Sequence, residues 1–138
     1  MKSFKYAALL LLFSIVFMSC EKQEYFKSES SIKKELQHQW LRSVISNSDS
    51  RNEIWEFKDG KLIITGSTNS TIPLEGEFSV KTTLSKVFIT TKNFPTTAAD
   101  SYDGAKWQVT YLHSGILTMA AEDPTGGGLI QREFTRQD

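Results

Sequence analysis

The stretch NEIWEFKDGKLIITG (residues 52–66) holds two alternating runs around a tight turn. In the first run Trp55 and Phe57 share one face, while Ile54 and Glu56 take the other. Successive side chains of a strand point to opposite faces, so this is a half-buried strand pattern. The central Asp59-Gly60 is a dipeptide that two-residue hairpins favour, because both turn positions need positive φ. Two antiparallel strands follow, 52–58 and 61–66, with Trp55 and Phe57 toward a core.

Working outward, the same period recurs at 39–46, 74–81, 85–92, 105–112, 115–122 and 128–136. Gly76, Phe78 and Val80 alternate with Glu75, Glu77 and Ser79. Trp107, Val109 and Tyr111 form one stripe, and Leu117, Met119 and Ala121 another. In the last run Ile130 and Phe134 share a face with Arg132 and Arg136, and an arginine in line with a core stripe calls for a partner. "HSGI" (113–116) repeats the tight-turn signal, and "DPTGGG" (123–128) is a glycine-rich turn. "STNSTIP" (67–73) and "NFPTTAADSYDG" (93–104) are longer connections. Only "SIKKELQHQ", opening at Ser31, has helical spacing, through Ile32 and Leu36. Short sequential strands joined by short turns predict an all-β fold: an eight-stranded antiparallel up-and-down barrel with a short N-terminal helix. An open sandwich-like sheet of the same strands is the alternative.

Upstream of this domain the chain begins MKSFKYAALLLLFSIVFMSC. Lys2 and Lys5 precede an uncharged run from Tyr6 to Met18. That run is shorter than the roughly 17–25 apolar residues a membrane span needs, and suits the apolar region of a secretory signal. It ends in Phe17-Met18-Ser19-Cys20, which resembles a bacterial lipobox. The resemblance implies a diacylglyceryl thioether on Cys20 and cleavage before it. Residues 1–19 are thus expected to be a lipoprotein signal peptide, 20–31 a lipidated cysteine with a tether, and 32–138 the barrel domain. The expected location is the bacterial cell envelope, with the outer membrane as first choice. The partner implied there is the membrane itself, reached through the lipid.

Composition narrows the classes further. Without Lys2 and Lys5, 14 basic residues face 16 acidic ones. A nucleic-acid partner, which selects a strongly basic face, is not expected. Cys20 is the single cysteine, so no disulfide staples the fold.

Four short motifs carry a family resemblance: Trp40 in the first strand, W-E-F-x-D-G (55–60), G-E-F-S-V (76–80) and W-x-V (107–109). Together they resemble the lipocalin-like domains of small bacterial lipoproteins, over roughly residues 36–136. In lipocalins a Gly-x-Trp opens the first strand and a late arginine covers that tryptophan. The triplet here is His38-Gln39-Trp40, and Arg132 and Arg136 both stand where that arginine is sought. The resemblance thus implies a Trp40–arginine stack.

A search for chemistry returns little. His38 and His113 fall on separate elements, whereas zinc takes three or four ligands at recognisable spacing. The glycine run 126–128 lacks the lysine and hydroxyl of a phosphate loop and precedes a strand. Glu53 is in phase with Trp55 and would point inward near a rim, but no second group for acid–base work accompanies it. No catalytic residue, no metal and no cofactor is expected, and the protein is read as a binder, not an enzyme. The first function expected is binding of a small apolar or amphipathic ligand inside the barrel, lined by Trp55, Phe78, Trp107 and Tyr111. The alternative is an envelope protein-interaction or inhibitor module with a filled core. In that case Phe94 and Tyr102, on the 93–104 connection, would be exposed anchors.

Overall fold

The computed structural model describes residues 27–42, 52–67, 70–95, 103–123 and 126–137. A helix, α1 (Glu29–Leu36), precedes eight strands: β1 (Gln39–Arg42), β2 (Ile54–Lys58), β3 (Lys61–Thr65), β4 (Leu74–Thr82), β5 (Val87–Lys92), β6 (Lys106–His113), β7 (Ile116–Glu122) and β8 (Leu129–Gln137). Each strand pairs antiparallel with the next, and β8 returns to β1, closing the barrel. The up-and-down barrel expected from the alternation is the observed architecture, and the open sheet is excluded.

The hairpin that decided the fold is built as its dipeptide requires. Asp59 and Gly60 have φ of 50° and 80°, and Lys58 pairs with Lys61 across them. Ser114 and Gly115 repeat the geometry between His113 and Ile116. Both turns twist with the right-handed twist of their strands, which keeps the two-residue register.

Helix α1 starts earlier than Ser31. The Ser28 hydroxyl accepts from Ser31 N, Glu29 occupies the first turn, and Lys33 and Lys34 occupy the last, each complementing the helix dipole. Ile32 and Leu36, four residues apart, are its buried face. The helix lies at the barrel end that also holds the turns β2–β3, β4–β5 and β6–β7, where the Glu29 carboxylate accepts from Thr82 N at 3.1 Å. The strand ends joined by the longer connections β1–β2, β3–β4, β5–β6 and β7–β8 lie at the opposite end. The barrel therefore has a helix end and a loop end.

One strand departs from its predicted alternation. In β6 the register shifts between Val109 and Tyr111, so Val109 pairs with Met119 and Tyr111 with Thr118. A bulge places one extra residue in the strand and reverses the parity beyond it. Trp107 and Val109 stay on the core side, Leu112 takes the inward place beyond the bulge, and Tyr111 turns outward with 46% of its surface exposed. The stripe Trp107–Val109–Tyr111 is corrected accordingly, and Tyr111 leaves the interior.

Phe94, expected as an exposed anchor, is also corrected. It is buried, and its ring fills the space over Gly76 of β4, where a Cβ would overlap it. Gly76 occupies an inward position between Leu74 and Phe78, so its missing side chain makes room for a plug from the β5–β6 connection. Tyr102, the second expected anchor, lies outside the described residues. A Gly76→Ala substitution is expected to cost about 1–3 kcal/mol in urea denaturation, as overpacking does. Adding the same substitution to Phe94→Ala is expected to cost much less, because the ring that opposes the methyl is gone.

Candidate functional site

The inward residues at the loop end form the one charged cluster of the barrel interior among the described residues. Glu53, one residue before β2, is buried and in phase with Trp55. Its Oε1 accepts from the Trp55 indole at 2.7 Å and from Arg132 at 3.2 Å. Its Oε2 accepts from Arg42 at 3.4 Å, and its carbonyl accepts from Arg42 N at 2.8 Å. One carboxylate thus joins β1, β2 and β8 around the closing seam. A buried carboxylate is costly unless paired and hydrogen-bonded, and here both oxygens are engaged.

The guanidinium of Arg132 lies over two tryptophans, 5.4 Å from the Trp55 ring and 4.9 Å from the Trp107 ring. Such cation–π contacts strengthen when desolvated, and Arg132 is buried. Of the two arginines expected at Trp40, Arg132 therefore lies on Trp55 and Trp107. Trp40 packs beneath α1, where its indole donates to the Leu36 carbonyl at 3.0 Å. Arg136 is the cross-strand neighbour of Trp40 in the β1–β8 pairing and is exposed.

Below the charged cluster the aromatic rings touch in sequence. Trp107 meets Trp55 edge-on at 5.9 Å between centroids, Trp55 meets Phe57 at 6.2 Å and Phe134 at 5.1 Å, and Phe57 meets Phe78 edge-on at 5.0 Å. These spacings are those of packed aromatic pairs, in which the positive edge of one ring meets the negative face of the next. Trp55, Phe78 and Trp107, expected to line a ligand site, are thus joined through Phe57 as one core. An eight-stranded barrel is only just wide enough for its own side chains or one small ligand. Among the described residues, the Trp107 Nε1 in this core is a buried donor without a hydrogen-bond partner.

The histidines and the outer-wall carboxylates do not converge. His38 and His113 are both exposed at the helix end, edge-on to Trp40 and to Tyr111 respectively. Among the described residues no group of three or more His, Cys, Asp or Glu side chains could hold a metal ion. On the outer wall, hydrogen bonds from Lys92 and Asn93 hold the Glu77 carboxyl below its ordinary range. The hydrogen bond to Glu75 holds the Lys61 ammonium above its own. Cys20 lies outside the described residues.

The Glu53–Arg132 pair had two separate signals in the sequence: Glu53 shares the phase of Trp55, and Arg132 that of Phe134. Their pairing required barrel closure, which brings together residues 79 apart. Comparison with protein-family models, with curated proteins and with solved structures finds no match. The eight-stranded antiparallel closure is consistent with the calycin-like architecture.

Removing one partner of a buried ion pair strands the other and typically costs about 3–5 kcal/mol. Glu53→Gln and Arg132→Met are each expected to lose stability on that scale. The double variant is expected to fall short of the summed losses by at least about 1 kcal/mol, the coupling of residues in contact. Equilibrium denaturation of the four proteins measures it, and additive losses would remove the pair from this role.

Proposed function

We propose that the chain is a lipid-anchored lipoprotein of the bacterial envelope whose lipocalin-like barrel has a filled core and works through its outer surface, as an interaction or inhibitor module. The observation that carries this reading is the ring-to-ring core: Trp107, Trp55, Phe57 and Phe78 occupy one another's faces where a ligand would lie. Two large apolar side chains at the loop end are instead exposed, Ile72 at 70% and Leu129 at 76%, and are suited to contact a protein. Cys20, at the end of its apolar run, supports the anchor.

A second reading is supported by the unpartnered Trp107 Nε1 beside the buried Arg132. It is a small amphipathic ligand whose acceptor atom takes that donor. The readings separate in solution. A ligand at a hundredfold excess over its Kd stabilises the folded state by about 2.7 kcal/mol, a readily measured rise in Tm. With a panel of fatty acids and related amphiphiles, the filled-core reading expects no rise in Tm and no shift in tryptophan emission. A saturable shift that Trp107→Phe weakens would transfer the function to the interior.

The anchor is tested separately by mass spectrometry of the membrane fraction. A mature chain beginning at a diacylglyceryl-modified Cys20 is expected, with Cys20→Ala blocking the processing. An intact Met1 terminus, or unchanged processing of the variant, would overturn the lipoprotein reading.

A further inference from the structure

The two barrel ends differ in charge: at the helix end exposed lysines outnumber the exposed carboxylates Glu29 and Asp59. The helix end carries Lys33 and Lys34 on α1, Lys58 in the β2–β3 hairpin, and Lys81 and Lys86 around the β4–β5 turn. All five are exposed. None is in an ion pair with a described residue, in contrast to Lys27 with Glu35, Lys61 with Glu75 and Lys92 with Glu77. Between Lys81 and Lys86 the turn projects Leu84, 88% exposed and the most exposed large apolar side chain of the described residues. At the loop end, the cations at the strand termini are each engaged, Arg42 by Glu53, Lys92 by Glu77 and Lys106 over the Phe88 ring, and the described connecting residues add the carboxylates Asp103 and Asp123.

The chain enters the fold at the lysine-rich end. Seven peptide steps separate Cys20 from Lys27, so an acyl group on Cys20 lies within about 25 Å of the helix end even with the tether at full stretch. A single acyl chain gives marginal membrane affinity, and a basic patch is one of the second signals that complete an anchor. Attraction between lysines and anionic headgroups acts within about a Debye length, roughly 10 Å at ordinary salt.

We infer that the helix end is a lipid-facing surface: Lys33, Lys34, Lys58, Lys81 and Lys86 engage anionic headgroups, and Leu84 inserts at the boundary between headgroups and acyl chains. The occupant is an anionic lipid surface. The surface holds the barrel upright on the membrane and turns the loop end, with Ile72 and Leu129, toward the opposite side. The inference rests on Cys20 being the lipid attachment point.

The test uses the full chain, expressed and processed in a bacterium, carrying Leu84→Trp or Leu129→Trp. It is reconstituted into vesicles of phosphatidylcholine, with or without phosphatidylglycerol, whose acyl chains are brominated to quench tryptophan. The native tryptophans are buried and give a constant background. With phosphatidylglycerol present, the added signal of Leu84→Trp is expected to be quenched about threefold more than that of Leu129→Trp, since charge attraction draws in the basic end. High salt, or omission of phosphatidylglycerol, is expected to abolish most of the difference. Combining Lys33→Gln, Lys34→Gln, Lys81→Gln and Lys86→Gln is expected to do the same at unchanged Tm.

Equal quenching at the two positions, or quenching indifferent to both salt and phosphatidylglycerol, would overturn the inference while Cys20 is found acylated. Shielding of Leu84→Trp in native membranes but not in vesicles would overturn it in favour of a protein partner. Mass spectrometry of the same preparation reads the anchor. An unmodified Cys20 would remove the lipoprotein reading and this inference with it.

Discussion

The closure of the barrel depends on one buried carboxylate. Eight strands leave no edge only if β8 finds β1, and that pairing joins the two ends of the domain. Hydrogen bonds along the seam give attraction but little register, since a shifted ladder makes nearly as many bonds. Glu53 adds the discrimination. It holds Arg42 on β1, the Trp55 indole on β2 and Arg132 on β8, and a slip by one residue would turn Arg132 to the outer face and strand a charge in the core. The same carboxylate fixes the indole of Trp55, against which Trp107, Phe57 and Phe134 pack. Polar pairing therefore sets the alignment, and aromatic packing supplies the bulk of the burial.

Much of this was legible in the sequence, for local reasons. Asp59-Gly60 and Ser114-Gly115 specify their turns by backbone chemistry alone, and the period-two runs around them fix which face is apolar. What escaped was set by relations between strands. The bulge in β6 is visible only when its eight residues are laid against the seven of β7 across a fixed two-residue turn. Tyr111 therefore looked inward by simple counting and is outward by register.

The places of Phe94 and Arg132 escaped for a different reason. An aromatic among small polar residues reads as a solvent-facing anchor, and nothing local says that a glycine on another strand has left a hole of its size. The pairing of Gly76 with Phe94 is a two-body fact, as is the choice of Arg132 for Trp55 and Trp107 over Trp40. The signals existed singly: a glycine at an inward position, an arginine at an inward position, a glutamate in phase with a tryptophan. Such exceptions to an otherwise regular alternation are where long-range partners are to be sought, because an exception left unmatched is costly.

The seam also governs when this chain becomes folded. Residues 39–42 pair with residues 134–137, so the first strand waits for the last before its outer edge is covered. During synthesis every shorter chain exposes two unpaired edges, and its core remains unsealed. Such high contact order slows folding, because a loop of nearly the whole domain must close before its contacts form. Under the lipoprotein reading proposed above, in which the chain threads through a translocation channel, that delay is an advantage: the barrel stays open, and so threadable, until its last strand is made. Its cost is a longer interval in which bare strand edges invite self-association.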